Sequence, residues 1–332
     1  MGRGRVLPAV GALFVVPAAR AGDSQSTLRP HSHAARDIAD LWWALLTGAA
    51  IVVFVVTLLV VIAALRALAR RRDPAQDDAR GVKAFVFVGG FVIPIVVLAA
   101  LLALTLRTLP ATSAPRGKTD LTVRVTGRQW FWDVGYPGHR LKTANEIHIP
   151  VGRSVDLQAR TRDVIHSFWV PELNRKIDMI PGRTNRILLR ADRPGTYRGQ
   201  CAEFCGLQHA NMAFLVVAEP REQFRAWLAR ESKPAQPPRT GEARAGLRTF
   251  LSVGCSGCHA IQGTPANATV GPDLTHLASR ETLAAATIPN TKGYLAGWIL
   301  DPQHLKPGNR MPGLELTGTQ LNDIVSYLES LK

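Results

Sequence analysis

The sequence predicts a multidomain membrane protein: a two-helix transmembrane hairpin, then a small all-β domain, then an all-α domain. Two long apolar runs without charged residues lie in the first third of the chain, and runs of that length can cross a bilayer as helices. Short β-branched segments between Gly and Pro follow, and the C-terminal part changes to helical periodicity. The 332 residues are enough for all three parts, and four Cys are too few for a disulfide scaffold.

Residues 1–22 have the features of a secretory signal peptide. Arg3 and Arg5 precede an apolar stretch, and the sequence Ala-Arg-Ala that ends at Ala21 has the small-x-small form of a cleavage site. A basic N-terminal tail is the alternative, because the apolar stretch is only just long enough for a signal. We favour the signal peptide.

The two apolar runs predict a hairpin over residues 35–110, with helices at about 41–66 and 84–109. Each run is long enough to cross a hydrocarbon layer of about 30 Å. The connection between them is rich in Arg and Lys, so the positive-inside rule places it in the cytoplasm and everything after Leu109 outside. A buried helical hairpin in a soluble protein is the alternative.

The net charge of +15 does not predict a nucleic-acid-binding protein. The basic residues are scattered along the chain, and they are not gathered on one segment with aromatic partners. Contact with anionic lipid or with an acidic protein partner is the better explanation of the charge.

The part of the chain after the hairpin divides into two domains of different class. Residues 119–230 are predicted to form a small β-sandwich or barrel, because alternating or β-branched stretches recur there between turn residues. Residues 231–241 are rich in Pro and polar side chains, as interdomain linkers are. Residues 242–332 are predicted to be helical, and Thr317 with Gln320 forms the predicted capping box of the last helix.

The densest set of metal-binding residue types lies between Cys201 and Met212, where Cys205 and His209 are also found. One Cys, one His and a weak Met on a loop are typical of mononuclear copper sites, so a second thiolate indicates a second copper ion bridged by both sulfurs. Such a centre needs a remote His, and His166 is flanked by apolar and aromatic residues. A disulfide is the alternative, and it leaves His209 and Met212 without a role. The other candidate histidines are interpreted as structural or solvated: His31, His33, His139, His148, His276 and His304.

Three segments resemble subunit II of cytochrome c oxidase. They are the Cys-x-Glu-x-Cys-x-x-x-His-x-x-Met loop, the Asp-Val-Ile-His-Ser-Phe-Trp segment around His166, and the Gln-Trp-Phe-Trp cluster that ends at Trp132. The resemblance extends from about Ala35 to Trp227 and implies a cupredoxin-like barrel that carries the binuclear copper centre CuA. Residues 80–87 lack the carboxylate that many family members carry at the start of the second helix.

The resemblance also implies roles for individual residues. Cys201 and Cys205 are expected to bridge the two copper ions, and His166 and His209 to be terminal ligands. Met212 is expected on one copper ion, and the backbone carbonyl of Glu203 on the other. The Glu203 carboxylate is expected to reach a magnesium ion shared with subunit I. Trp130 is implied to be the electron entry point, with ordinary interface packing as the alternative.

The sequence Cys255-Ser-Gly-Cys258-His259 has the C-x-x-C-H form that attaches a c-type heme through two thioether bonds, with the His as an iron ligand. Met311 lies in a loop before the closing helix, where a class I cytochrome c places its second axial ligand. A Met/His pair raises the iron potential and suits electron transfer. A zinc half-site or a redox dithiol is the alternative, and the domain has no second C-x-x-C.

The resemblance implies the electron-input subunit of a proton-pumping terminal oxidase in the bacterial inner membrane, with both soluble domains on the periplasmic side. Electrons are expected from a cytochrome c or a bc1 complex, and to pass through heme c and CuA to heme a of subunit I. Oxygen would be reduced to water on that partner chain, so no catalytic residue is assigned here. The alternatives are the small subunit of a CuA-containing nitric oxide reductase and a copper carrier or assembly protein.

Overall fold

The computed structural model describes residues 25–69, 79–115, 117 and 119–332. The predicted signal peptide at residues 1–22 and most of the basic connection between the apolar runs lie outside the described residues.

Two helical segments are long and apolar enough to cross a membrane. The first is α1 (His33–Ala69), and the second is built from α2 (Ala79–Phe87), a π-helical segment (Val88–Val92) and α3 (Ile93–Thr112). Helix α1 begins well before the expected position 41. The reason is an N-cap, because Ser32 Oγ accepts a hydrogen bond from the Ala35 amide at 2.9 Å.

The π-helical segment lies directly before Pro94, the second residue of α3. A proline inside a helix has no N–H to donate, and its ring clashes with the carbonyl four residues earlier, here that of Gly90. Widening the helix over Val88–Val92 accommodates that lost hydrogen bond. A π-bulge thus precedes Pro94 inside the second apolar helix.

The start of α1 and the end of α3 both form hydrogen bonds with the β-domain. At the start of α1, Arg36 Nη2 donates to Asp192 Oδ2 at 2.7 Å. At the end of α3, Arg175 Nε donates to the Thr112 carbonyl at 2.9 Å. The membrane hairpin is thus attached to one domain at two points, which fixes the β-domain close to the membrane surface.

The β-domain is a sandwich of two five-stranded sheets, as the sequence predicts. The sheet orders are β3-β2-β1-β5-β8 and β4-β10-β9-β6-β7. Trp132, Phe168 and Phe214 pack against one another in the core between them. The strands are β1 (Leu121–Arg128), β2 (Phe131–Tyr136), β3 (Leu141–Ala144), β4 (Glu146–Pro150), β5 (Val155–Thr161), β6 (His166–Trp169), β7 (Ile177–Met179), β8 (Asn185–Leu189), β9 (Gly195–Cys201) and β10 (Ala213–Glu219).

The C-terminal domain is mainly helical and has its own core around Phe250, Ile324 and Tyr327. Its last helix starts with the predicted capping box of Thr317 and Gln320. A two-stranded hairpin was not predicted, because two-residue strands are too short to show an alternating pattern. The elements are α4 (Arg221–Glu231), which packs on the β-sandwich, and then α5 (Gly241–Ser252), β11 (Thr282–Leu283), β12 (Ile288–Pro289), α6 (Lys292–Leu300), α7 (Pro302–Leu305) and α8 (Gly318–Glu329).

Candidate metal centres

The first candidate centre lies where three strand ends meet at one edge of the sandwich. Strand β6 starts at His166, β9 ends at Cys201, and β10 starts at Ala213. Residues 202–212 between β9 and β10, here called the copper loop, contain a short 3-10 turn at His209–Asn211. Because β6 pairs with β9, the remote histidine is brought beside the loop.

The five residues predicted to bind copper through their side chains lie together. The Sγ atoms of Cys201 and Cys205 are 3.8 Å apart. His166 Nδ1 is 3.8 Å from Cys201 Sγ, and His209 Nδ1 is 3.7 Å from Cys205 Sγ. Met212 Sδ is 3.7 Å from Cys205 Sγ. Both cysteines are free thiols, and one imidazole beside each sulfur fits a binuclear copper centre.

The two thiols shift each other's pKa in opposite directions. The hydrogen bond with Cys205, the largest influence, lowers the pKa of the Cys201 thiol to about 4, against the opposing effect of burial. The same contact, together with burial, raises the pKa of Cys205. One sulfur is therefore a thiolate at neutral pH, and release of the second proton would accompany metal binding, since metal ligands must be deprotonated.

His166 is held in position by its neighbours. Its Nε2 lies 2.8 Å from Asp163 Oδ1, which leaves Nδ1 directed at Cys201. Burial opposes protonation of His166, but the hydrogen bonds with Asp163 and Cys201 outweigh it and raise its pKa. The ring is fully buried and packs on Gly127, where a Cβ atom would lie 2.8 Å from His166 Cδ2. A carboxylate partner of this kind orients a metal-binding histidine.

Gly127→Ala is expected to weaken copper binding by roughly 10- to 100-fold, the range found when groups that orient a ligand are lost. The added methyl group must displace the His166 ring, because its carbon would lie 2.8 Å from His166 Cδ2 and 3.0 Å from His166 Cγ. Titration with a competing chelator measures the change. Gly135→Ala on β2 is the matched control, since its nearest contact would be an ordinary 3.9 Å. Equal copper affinity in the two variants would contradict the role given to Gly127.

The two remaining residues of the predicted copper site lie on the same loop or against it. The backbone carbonyl oxygen of Glu203 lies 3.2 Å from Cys201 Sγ, and Glu203 is an exposed residue. Trp130 Nε1 donates to the Cys205 carbonyl at 3.1 Å. Sequence reasoning missed Gln129, whose Nε2 donates to the same carbonyl at 2.8 Å. Its position directly before Trp130 was the available signal.

The second candidate centre is formed by the C-x-x-C-H motif. Cys255 and Cys258 are free, half-buried thiols, and Cys255 begins a 3-10 turn. His259 Nδ1 lies 2.8 Å from the Pro272 carbonyl, so this nitrogen carries the proton and Nε2 is left for a ligand. Burial lowers the pKa of His259 and favours the neutral ring that an iron ligand needs. The set fits a covalently attached heme.

Met311 lies in the loop between α7 and α8, where its backbone is held at two points. Its amide donates to Asn309 Oδ1 at 2.7 Å, and its carbonyl accepts from Gln303 Nε2 at 2.9 Å. The side chain is half-buried. The next residue back, Arg310, donates through Nη2 to Gln129 Oε1. The loop of the predicted heme ligand thus contacts the residue that donates to the copper loop.

Two of the histidines interpreted as structural, one half-buried and one buried, make contacts that fit this interpretation. His148 stacks on Trp227 with ring centroids 4.0 Å apart, and its Nδ1 lies 3.1 Å from Glu219 Oε2. His276 is buried, and its Nε2 lies 2.9 Å from the Lys233 carbonyl. This second contact also holds the start of the predicted linker against the C-terminal domain.

Two family models match this chain over its two soluble domains. Residues 138–219 match the model of cytochrome c oxidase subunit II, periplasmic domain, and residues 243–332 match the model of cytochrome c. The first range contains every residue of the copper loop, and the second contains the C-x-x-C-H motif and Met311.

Curated relatives match a wider part of the chain. Cytochrome c oxidase subunit 2 of Alkalihalophilus pseudofirmus is 39% identical over 217 residues, which is 65% of this chain and 63% of that protein. The chain is thus similar to cytochrome c oxidase subunit II over its first part and to cytochrome c over its C-terminal domain. Another relative, cytochrome c oxidase subunit 2 of Bacillus sp. (strain PS3), is 32% identical over 228 residues, or 65% of this chain and 64% of that protein. The chain therefore spans slightly less than two thirds of the length of these two subunit II relatives.

Among solved structures, the periplasmic domain of subunit II of cytochrome oxidase of Bradyrhizobium japonicum is 33% identical. The similarity covers 35% of this chain and 95% of that domain, with a TM-score of 0.34. The two family models and the apolar helices agree with the fold class that the sequence predicts: apolar helices, a cupredoxin-like sandwich and a helical domain.

Proposed function

We propose that this chain is the electron-input subunit of a terminal oxidase, which accepts electrons one at a time on its cytochrome domain and delivers them through its copper domain to a partner subunit. Bound heme c and a binuclear copper centre would supply the two one-electron redox couples. A soluble or membrane cytochrome c, or a bc1 complex, is the proposed donor. The proposed location is the bacterial inner membrane, with both soluble domains on the periplasmic side.

The observation that carries this proposal is a hydrogen-bonded connection between the loops of the two candidate centres. Arg310, next to Met311, donates to Gln129, and Gln129 donates to the carbonyl of Cys205. A continuous hydrogen-bonded path of this kind joins the loop of the predicted heme ligand to a predicted copper ligand. Trp130 contacts the same carbonyl, which supports its proposed role at the electron entry point.

The proposal extends to the partner subunit. Glu203 is proposed to bind magnesium at the interface with subunit I, because its carboxylate is exposed beside the copper loop while its carbonyl faces Cys201. The names of the curated relatives favour an oxidase over a nitric oxide reductase as the complex. A copper carrier is less well supported, since Cys201, Cys205 and Met212 belong to the buried core and the cytochrome domain contacts their loop.

Electron relay is tested by anaerobic rapid mixing of the full chain with less than one equivalent of a one-electron reductant. We expect the heme absorbance to show reduction first, and then partial reoxidation as the near-infrared copper band bleaches. Cys201→Ser should lack the second phase. Trp130→Phe should slow it several-fold, because the indole donor to Cys205 is removed, while Trp43→Phe in α1 should not. If the second phase is equally fast in Trp130→Phe, Trp130 is not the electron entry point. If the native chain shows no second phase, the proposed electron relay is wrong.

A further inference from the structure

The cytochrome domain packs directly on the C-terminal half of the copper loop. Lys306 Nζ donates to the Asn211 carbonyl at 2.8 Å, and this lysine is only 2% exposed. Gln208 Nε2 donates to the Pro307 carbonyl at 2.5 Å. At Gly308 the chains approach so closely that a Cβ atom would lie 2.8 Å from Leu207 Cδ1. The copper loop is therefore in contact with the second domain at Leu207, Gln208 and Asn211.

A second contact is made by the turn between β11 and β12, in which Ala284, Ala285 and Ala286 have φ angles of 54°, 60° and 56°. Left-handed backbone at three successive alanines is unfavourable, because their Cβ atoms crowd the carbonyls. The carbonyls of this alanine turn all receive hydrogen bonds that compensate. Ala284 accepts from Lys306 at 2.9 Å, Ala285 from the Ala213 amide at 3.2 Å, and Ala286 from Arg198 Nη1 at 3.1 Å.

These contacts enclose Met212 on both sides. The carbonyl of Asn211 before it accepts from Lys306, and the amide of Ala213 after it donates to the alanine turn. We propose that the cytochrome domain is a structural part of the copper centre, and that Lys306 is a positioning residue that holds Met212 in the copper loop. This inference rests on the proposed binding of copper, and it adds a role for the cytochrome domain besides carrying an electron.

The ammonium group of Lys306 is suited to this role. Burial lowers its pKa to about 8, and the nearby Cys205 opposes the shift, so the group is still largely protonated at neutral pH. It then offers three N–H donors, two of which are used by the Asn211 and Ala284 carbonyls. Among the described residues, its removal leaves these carbonyls with the weaker donor Thr287 alone, whose Oγ1 lies 3.3 Å from the Asn211 carbonyl and 2.7 Å from the Ala284 carbonyl.

Lys306→Met in the full chain tests the proposal, with Lys292→Met as the matched control on the exposed face of α6. Two quantities are measured. The first is the near-infrared and paramagnetic resonance spectrum of the copper centre at equal copper and heme content. The second is amide hydrogen exchange at Ala213 in the copper-free chain. We expect Lys306→Met to shift the copper spectrum and to accelerate exchange about tenfold, the effect of losing one buried hydrogen-bonded contact.

Thr287→Val is a milder second variant that removes the other donor to Asn211 and keeps Lys306. It should move both quantities in the same direction by a smaller amount. Unchanged spectra and unchanged exchange in both variants would overturn the proposal. Absence of a copper centre in the native chain would instead refute the proposed function, and the exchange measurement on the copper-free chain separates these two results.

Discussion

Cys201→Ser is expected to abolish binding of the copper pair while the covalent heme remains. Both proposed copper ions need this sulfur as a bridge, and a hydroxyl is a poor ligand for a soft metal. The loss should exceed the roughly 100-fold upper range seen for residues that only orient a ligand. The heme should be unaffected, because the two centres are built on separate hydrophobic cores.

This prediction is tested by the copper and iron content of the purified full chain and by its optical and paramagnetic resonance spectra. The native chain should contain two copper ions for each heme, with an unpaired electron shared over both copper nuclei. His139→Ala is the control, since this histidine is exposed and lies outside the centre. If the Cys201→Ser protein keeps both copper ions, Cys201 does not bridge them. If Cys201 and Cys205 form a disulfide in the native chain, the proposed copper centre does not exist.

Most of the predicted ligands of both centres could be proposed from the sequence because they are local. Glu203, Cys205, His209 and Met212 lie within the copper loop and Cys201 directly precedes it, and three of the four predicted heme residues lie within one five-residue motif, with Met311 outside it. His166 is remote in sequence, but its apolar and aromatic neighbours predict that it is buried, as it is in the structure. Ligands that lie in one turn or loop are close in sequence, so their spacing can be identified without knowledge of the tertiary structure.

The residues around the ligands could not be recognised in this way. In the sequence, Lys306 cannot be distinguished from the many other scattered basic residues. Its proposed function depends on the contact between the cytochrome domain and the β-domain. The alanine turn has a composition that predicts helix, yet it is left-handed because its carbonyls find donors on Lys306, Arg198 and Ala213. Tertiary hydrogen bonds here override local propensity. The early start of α1 has a mixed cause, since the Ser32 cap is local and the bond from Arg36 to Asp192 is tertiary.

Gly246→Ala is expected to destabilise the cytochrome domain by roughly 3 kcal/mol or more, at the upper end of the cost of overpacking a core. Gly246 lies where α5 crosses α8, and a Cβ atom there would lie 1.9 Å from the Asp323 carbonyl oxygen and 2.7 Å from Tyr327 Cβ. Both obstacles belong to the backbone or its first side-chain atom. A rotamer change cannot relieve them, so the two helices must separate.

Separation of α5 from α8 also disrupts the packing of Phe250 on Tyr327, whose ring centroids are 6.1 Å apart. Thermal unfolding followed by heme absorbance in the full chain measures the effect, and protease cleavage between residues 242 and 332 locates it. Gly241→Ala at the start of the same helix is the matched control, because nothing lies within 4 Å of its added Cβ atom. Since alanine is the better helix former, that control should be neutral or stabilising by up to about 1 kcal/mol. Equal stability of the two variants would show that α5 and α8 do not cross in contact at Gly246.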